Sequence, residues 1–440
     1  MQRKNDIILF EFGNEQNFEG NIKGLKNYLA EAWANRNRFY SYNDEQQDDS
    51  IQQSTKQVFL RFDGSQISAN NYVGFIFYEG QRITILPKLF RDIPLTNQNN
   101  FHYHLLYWLS YCSRVRFPFA EVKLDNIDFD DLLEVFIFIF AGYTNELLSR
   151  QLYHCYEEVT ENVSAFRGHL SINNHINTNL ITGNWQNFYC TYEPFESNNT
   201  FNQIIKYTCK KLLSITSNNI NIEKLEQSLF FLNDVDDRYC IYSDCDKVKL
   251  NYLQSDWKYV LDTCKMFLSG QSVGNNSQDN NNFCFLVPME YVFEDFIFGF
   301  INSHLPKSEA KYHSNGTYLT DQRVFQIEPD ILCKCPELII DTKYKIRQDT
   351  GDGKQGVSQN DLYQMLAYAV RKNIKDVYLF YPSIKTNVRE SANPDYSISS
   401  PLFTNNNKVN ISLFDICIYS QKPRELEENL KSELTLILTL

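Results

Sequence analysis

The sequence predicts an α+β multidomain protein with a β-rich N-terminal region (1–125), a mainly α middle region (126–282) and a C-terminal α/β region (283–440). Three observations carry this. Apolar residues alternate with period two near the start of the chain and again after Ile327, whereas a helical period dominates between them. A stretch from Gly270 to Asn282, dense in Gly, Ser, Gln and Asn, separates the middle region from the last. With 440 residues, 43% of them hydrophobic and 15% aromatic, the chain has room for two or three domains and enough apolar surface to fold compactly.

In the first region, Asp6 to Phe12, Gln57 to Asp63, Tyr72 to Tyr78 and Arg82 to Leu86 read as strands. Glu79-Gly80 turns the last pair, and Asn43 to Asp49 forms an acidic loop. Helical patterns follow at Phe101 to Val115, Asp130 to Glu158, Asn199 to Ile215, Ile222 to Leu232 and Leu253 to Leu268, interrupted by a strand at Ala165 to Ile172. The most apolar run, Leu132 to Gly142, contains Glu134 and is too short to span a bilayer, so it reads as a core helix and no membrane association is expected.

No apolar segment of signal-peptide length follows Met1 to Asp6. The eleven cysteines are odd in number and lack C-x-x-C spacing, which argues against both a disulfide framework and a zinc ribbon. Both features predict a cytoplasmic protein.

The C-terminal region concentrates the chemistry. Pro288 opens a helix whose apolar arc is Phe293, Phe296, Ile297, Phe300 and Ile301; Glu294 lies at the edge of the arc and Asp295 faces away. Ile327 to Cys333 and Leu338 to Ile346 are β-prone runs separated by Lys334-Cys335-Pro336-Glu337, so they read as an antiparallel hairpin. The second strand places Asp341, Lys343, Lys345 and Arg347 on one face and Ile340, Thr342, Tyr344 and Ile346 on the other. A following helix sets Asp361, Gln364, Met365 and Tyr368 on one side. The apolar tail Leu434 to Leu440 packs as a strand or a helix.

Phosphodiester hydrolysis needs carboxylates to hold a hard divalent cation and a positive group to stabilise developing charge. Asp330, Asp341 and Lys343 supply these. An isolated D-x-K triplet is more often an ordinary solvated hairpin, and Glu294 reads equally well as a rim or capping glutamate.

The ordered strings Phe293-Glu294, Glu328-Pro329-Asp330, Ile340-Asp341-Thr342-Lys343-Tyr344-Lys345 and Asp361 to Ala369 resemble the PD-(D/E)xK nuclease superfamily in its RecB-like QxxxY form. More narrowly, they resemble the McrC family, the nuclease component of McrBC-type modification-dependent restriction systems. Val73 to Ile76, Ile83 to Lys88 and Glu196 to Asn202 resemble other parts of McrC proteins.

The resemblance implies a C-terminal PD-(D/E)xK nuclease domain acting as a DNA endonuclease. Asp330 and Asp341, joined by Glu294, would hold Mg²⁺, with Mn²⁺ as an alternative. Lys343 would orient or activate the attacking water and steady the pentacovalent phosphate, Gln364 would position Lys343 or a phosphate, and Tyr368 would support that helix face or touch the backbone. Lys345 and Arg347 form a basic stripe for DNA. The N-terminal region would dock on a McrB-like hexameric AAA+ GTPase, which binds the GTP and recognises the modified DNA, and self-association would bring together two sites for double-strand cleavage. The net charge of −12 argues against unaided DNA binding and fits recruitment by such a partner.

Two other classes stay open: a non-cleaving adaptor that activates a GTPase, and an autonomous RecB-like repair nuclease. Gly351-Asp352-Gly353-Lys354-Gln355-Gly356 fits a dinucleotide fingerprint, but Arg347 to Thr350 separates it from the strand, and no G-K-[ST] occurs. His313 and His169 stay outside the predicted site.

Overall fold

The computed structural model describes residues 6–34, 58–93, 101–113, 132–251, 254–269, 282–313, 316–347, 353–386, 393–399, 408–420 and 423–439. The chain forms two compact units, one made of Met1–Leu132 with Cys284–Leu440 and the other of Leu133–Phe283. The N-terminal and C-terminal regions, expected as separate domains, therefore fold together, and the middle region is inserted between them. The acidic loop and residues 270–281 lie outside the described residues.

The N-terminal part of the first unit runs β1 (Asp6–Phe10), β2 (Gln16–Asn17), α1 (Ile22–Ala34), β3 (Leu60–Asp63), β4 (Gln66–Ala69), β5 (Tyr72–Tyr78), β6 (Gln81–Leu86) and α2 (Phe101–Ser110). In the β5–β6 hairpin Tyr78 pairs with Gln81, and Glu79 and Gly80 have φ of 47° and 80°, the left-handed pair that a tight two-residue turn requires. β1 adds parallel to β6, and β2, β4 and β3 form a smaller sheet. Leu25, Tyr28, Leu29 and Trp33 of α1 join Ile76, Ile83 and Ile85 in one core, the amphipathic packing that stabilises a helix of this length.

The second unit comprises α3 (Leu132–Arg150, entered at Leu133), β7 (Cys155–Tyr156), β8 (Val159–Val163), β9 (His169–Leu170), β10 (Phe188–Tyr192), β11 (Phe195–Glu196), α4 (Thr200–Leu213), α5 (Asn219–Phe231) and α6 (Ser255–Ser269). The apolar run that the sequence reads as too short continues to Arg150, giving 19 residues that by length and composition could cross a membrane. Within the second unit 67% of its apolar window is buried, and buried Glu134 accepts hydrogen bonds from Thr216 Oγ1, Ser217 N and Asn221 Nδ2. Asn199 caps α4 by accepting from Asn202 N at 3.0 Å, and both side-chain amides donate to Tyr153 O, which accounts for the polar stretch before this helix. The strand expected at Ala165 to Ile172 is reduced to His169–Leu170, since Gly168 turns the chain at φ 58°.

The C-terminal part continues with β12 (Phe283–Pro288), α7 (Met289–His304), β13 (Lys311–Tyr312), β14 (Ile331–Lys334), β15 (Glu337–Thr342), α8 (Gln359–Lys372), β16 (Asp376–Ser383), β17 (Tyr396–Ser399), β18 (Lys408–Cys417) and α9 (Pro423–Thr439). β12 pairs beside β5 and so ties the last part of the chain to the first. Gly74 in β5 permits this approach: at φ 138°, a Cβ there would collide with the Phe285 carbonyl. The second sheet has the order β13-β14-β15-β16-β18-β17. β14 and β15 form the expected antiparallel hairpin, while β15, β16 and β18 run parallel, with α8 as the crossover between β15 and β16.

Candidate active site

The hairpin register pairs Ile331 with Ile340, so the next step outward sets Asp330 opposite Asp341. Asp330 is anchored by accepting from Thr342 N and Thr342 Oγ1, both at 2.7 Å through Oδ2. Asp341 is fully buried in β15, and its Oδ2 lies 2.7 Å from Lys343 Nζ, an ion pair by distance rather than an aligned hydrogen bond. Lys343 Nζ also donates to Gln364 Oε1 at 3.1 Å, and Gln364 Nε2 donates to Tyr368 Oη at 2.7 Å. Asp341, Lys343, Gln364 and Tyr368 are thus linked in one polar chain.

α8 delivers its two members because Ser358 caps it, accepting from Asp361 N at 3.2 Å, and Met365 and Ala369 bury the neighbouring face. Gln364 and Tyr368, one turn apart, then point to the same side.

Burial pushes the Asp330 carboxyl well above the usual carboxylate range, and the charges of Glu294 and Asp341 push it further. Burial also raises Asp341, against the pull of Lys343. Burial opposes the Lys343 ammonium, yet Asp341 and Asp330 outweigh it and hold the group charged. The Tyr368 hydroxyl is pushed up to about 12, by burial first and Asp341 next.

Glu294 on α7 is close enough to Asp330 and Asp341 to repel both. Its Oε1 lies 2.9 Å from His313 Nε2, and His313 N donates to Asp330 O at 3.1 Å. His313, left out by the sequence reading, therefore belongs to the site. No local pattern marks it, because its partners come from α7 and from the residue before β14.

Three expectations change. Asp295 is buried rather than facing away: it accepts from Ser113 N at 3.1 Å and from Tyr312 Oη. β15 ends at Thr342, not Ile346; Lys343 N still pairs with Phe380 O, but Lys345 N folds back to Lys343 O at 2.7 Å and ends the alternation. The basic stripe is consequently dispersed. Lys345 pairs with Asp361 at 3.0 Å and keeps an exposed side chain, whereas Arg347 grips Asp415 through two nitrogens, lies over the Tyr381 ring and is largely buried.

The donors suit Mg²⁺. They are carboxylate oxygens, and Asp341 Oδ1 is buried with no hydrogen-bond donor among the described residues. No group of three or more His, Cys, Asp or Glu side chains forms a ready ligand set among those residues. Mg²⁺ does not require one, since it binds through one or two carboxylates and keeps several waters.

Fold and site together define a class: an α+β protein with a buried carboxylate–lysine centre on a mixed sheet. The chain belongs to the McrBC 5-methylcytosine restriction system component family, whose model matches residues 67–382. It is similar in fold to a chain of the refined half-complex from the tetradecameric assembly of Thermococcus gammatolerans McrB AAA+ hexamers with bound McrC, at 18% identity and TM-score 0.68, covering 98% of this chain and 100% of the other. A chain of the cryo-EM structure of the Thermococcus gammatolerans McrBC complex matches at 19% identity and TM-score 0.47, covering 70% and 89%. Comparison with curated proteins gives no match.

Proposed function

We propose that the chain is the Mg²⁺-dependent DNA endonuclease subunit of a GTP-dependent, modification-dependent restriction system, with residues 283–440 read as its PD-(D/E)xK nuclease domain. The observation that carries this reading is Asp341, buried with one oxygen lacking a donor among the described residues, opposite Asp330 and 2.7 Å from the Lys343 ammonium. Family membership supplies the biological setting.

Asp330 and Asp341 would hold the metal, with Glu294 beside them. Bound there, Mg²⁺ would polarise a phosphoryl oxygen and acidify a water. Lys343, kept charged by its two aspartates, donates to the phosphate oxygen that gains charge during attack. Gln364 accepts from Lys343 and so fixes its direction, and its amide is in turn held by Tyr368. Lys345, at the rim, contacts the DNA backbone; Arg347 braces the sheet.

The solved assembly of similar fold contains McrB AAA+ hexamers with bound McrC, which supports an AAA+ partner here, and we read that partner as a GTPase. The N-terminal hairpin Val73 to Leu86 is packed in the core, with Val73, Ile76, Ile83 and Ile85 fully buried. The second unit instead exposes Phe166, Ile172, Ile181 and Trp185, the last two each 72% accessible, between β8 and β10. Apolar side chains gathered on one small segment fit a docking surface, and we add this segment to the N-terminal region as a second surface for the partner contact. A double-strand break requires two copies of the site, and the setting is the cytoplasm.

The test is cleavage of methylated and unmodified circular DNA with Mg²⁺, GTP and the cognate GTPase, using wild-type chain and Asp341→Ala. Cleavage that depends on Asp341, GTP and methylation is expected. GTPase stimulation without cleavage would replace the nuclease with an adaptor, and cleavage without the partner would make it an autonomous nuclease.

A further inference from the structure

The residue after Lys343 is held from the opposite end of the sequence. Tyr344 is buried, and its hydroxyl donates to Glu11 Oε2 at 3.0 Å. Its carbonyl accepts from Lys88 Nζ at 2.8 Å, and the same ammonium lies 4.3 Å from the centre of the Tyr344 ring. Three separate features of one residue are thus engaged: hydroxyl, ring face and carbonyl.

The holders are themselves fixed. Glu11 directly follows β1, is fully buried, and donates its backbone N–H to Leu86 O at 2.9 Å. Lys88 stands two residues past β6, and its backbone N–H approaches Glu11 Oε2 at 3.4 Å. Arg91 donates to the carbonyls of Glu11 and Phe12 and closes the corner. The ends of two parallel strands of the N-terminal sheet therefore form a rigid socket for Tyr344.

On its other side, Tyr344 borders the fold-back in which Lys345 N donates to Lys343 O. Lys343 N is fixed to Phe380 O, and Lys345 to Asp361 at the start of α8. The Lys343 backbone is consequently pinned before, at and after its Cα, and the pin after it is the one that the N-terminal sheet supplies. A long, flexible lysine side chain reaches one position reproducibly only if its backbone does.

We propose that Lys88 and Glu11 are positioning residues for Lys343, acting through Tyr344, so that the N-terminal sheet is an integral part of the nuclease centre. The proposal rests on the nuclease reading for its effect on turnover, but the positioning itself can be read without cleavage. It also assigns a reason for the N-terminal and C-terminal segments to fold as one unit.

The experiment uses the full chain, alone and with its GTPase, as wild type, Lys88→Met, Lys88→Arg and Tyr344→Phe. Two quantities are read: the acylation rate of the Lys343 amine by a lysine-reactive probe, followed by mass spectrometry, and kcat and KM for cleavage. In Lys88→Met, Lys343 labelling is expected to change severalfold, and kcat to fall about tenfold to a hundredfold with KM within about twofold, the signature of a misplaced catalytic group. Lys88→Arg, which keeps a cation over the ring, recovers most of both. Tyr344→Phe removes only the Glu11 bond and gives a smaller change in the same direction. Thermal melting identifies a variant that fails to fold; should Lys88→Met be such a variant, Tyr344→Phe decides.

Unchanged labelling and unchanged kcat in folded Lys88→Met and Tyr344→Phe would overturn the proposal. If wild type shows no Asp341-dependent cleavage, the nuclease reading fails, and the labelling rates alone still decide the positioning.

Discussion

Glu294 on α7 and His313, just past β13, meet at 2.9 Å between Oε1 and Nε2, while the His313 N–H holds the Asp330 carbonyl. His313 does this from a left-handed backbone conformation, φ 42°, which a non-glycine residue adopts only when its surroundings over-determine it. The imidazole thus sits against a carboxylate that is itself close enough to both aspartates to repel them. Glu294→Gln and His313→Ala are each expected to lower cleavage about tenfold, and the double variant no further than the worse single one, since both remove the same carboxylate orientation. Additive losses in a double-mutant cycle would show that the two residues act independently.

Three acidic groups share the buried site, and both Asp330 and Asp341 have raised pKa values, from burial first and then from their acidic neighbours. Removing one charge relieves that repulsion. In the absence of divalent ions, Asp341→Asn is expected to melt no lower than wild type despite losing the partner of Lys343. Mg²⁺ should raise the wild-type melting temperature, by linkage worth about 2.7 kcal/mol at a hundred times Kd, and leave Asp341→Asn unmoved. Calorimetry with and without chelator checks this; equal Mg²⁺ stabilisation of both would place the ion elsewhere.

The hairpin of Asp330 and Asp341 was legible because a period of two on either side of Pro336 fixes both pairing and face. The helix carrying Gln364 and Tyr368 was legible for the same reason at period 3.6. What local pattern could not show is where the alternation stops. Tyr344 is drawn out of the strand by Glu11 and Lys88, contacts of very long sequence separation, and that removes Lys345 and Arg347 from the face of Asp341. The burial of Asp295 is hidden likewise, since its partners Ser113 and Tyr312 lie on other elements. The union of the two ends of the chain depends on β12 joining β5, a pairing across an entire inserted unit.

The two cations expected to meet DNA now separate. Lys345 is 54% exposed in its side chain, whereas Arg347 is 17% exposed and bound to Asp415. Lys345→Ala should weaken DNA binding at all sequences and reduce the slope of log affinity against log salt by about 0.9. Arg347→Met should leave that slope alone and destabilise the first unit by about 3 kcal/mol or more, because Asp415 loses its partner in a largely buried setting. Titrations at several salt concentrations, with urea unfolding, distinguish the two; a salt slope altered by Arg347→Met would restore it to the DNA surface.

If the apolar segment between β8 and β10 docks the GTPase, Ile181→Asp and Trp185→Asp should weaken association at least about tenfold, as loss of a desolvated anchor does. Both side chains are exposed, so melting should stay within a degree or two of wild type. Stimulated GTP hydrolysis, measured against chain concentration, gives the affinity. Unaltered stimulation by both variants would move the contact off this segment.

Glu11 predicts a pH dependence of known sign. Its carboxyl is raised from 4.5 to about 7, by burial first, with Lys88, its backbone amide and Tyr344 opposing and Glu290 adding to the rise. The folded state therefore binds the proton more tightly than the unfolded chain. The associated stability is fully present below about pH 4 and is lost as pH rises through about 7. The shift corresponds to at most about 3 kcal/mol. Glu11→Gln removes the titration, so the stability of Glu11→Gln relative to wild type should grow between pH 5 and pH 8. The raised Glu433, also at about 7, titrates in both proteins and cancels from the difference. Urea unfolding of the two at both pH values reads it directly. A difference independent of pH would mean that Glu11 is ionised in the fold throughout, with Lys88 rather than burial setting its charge.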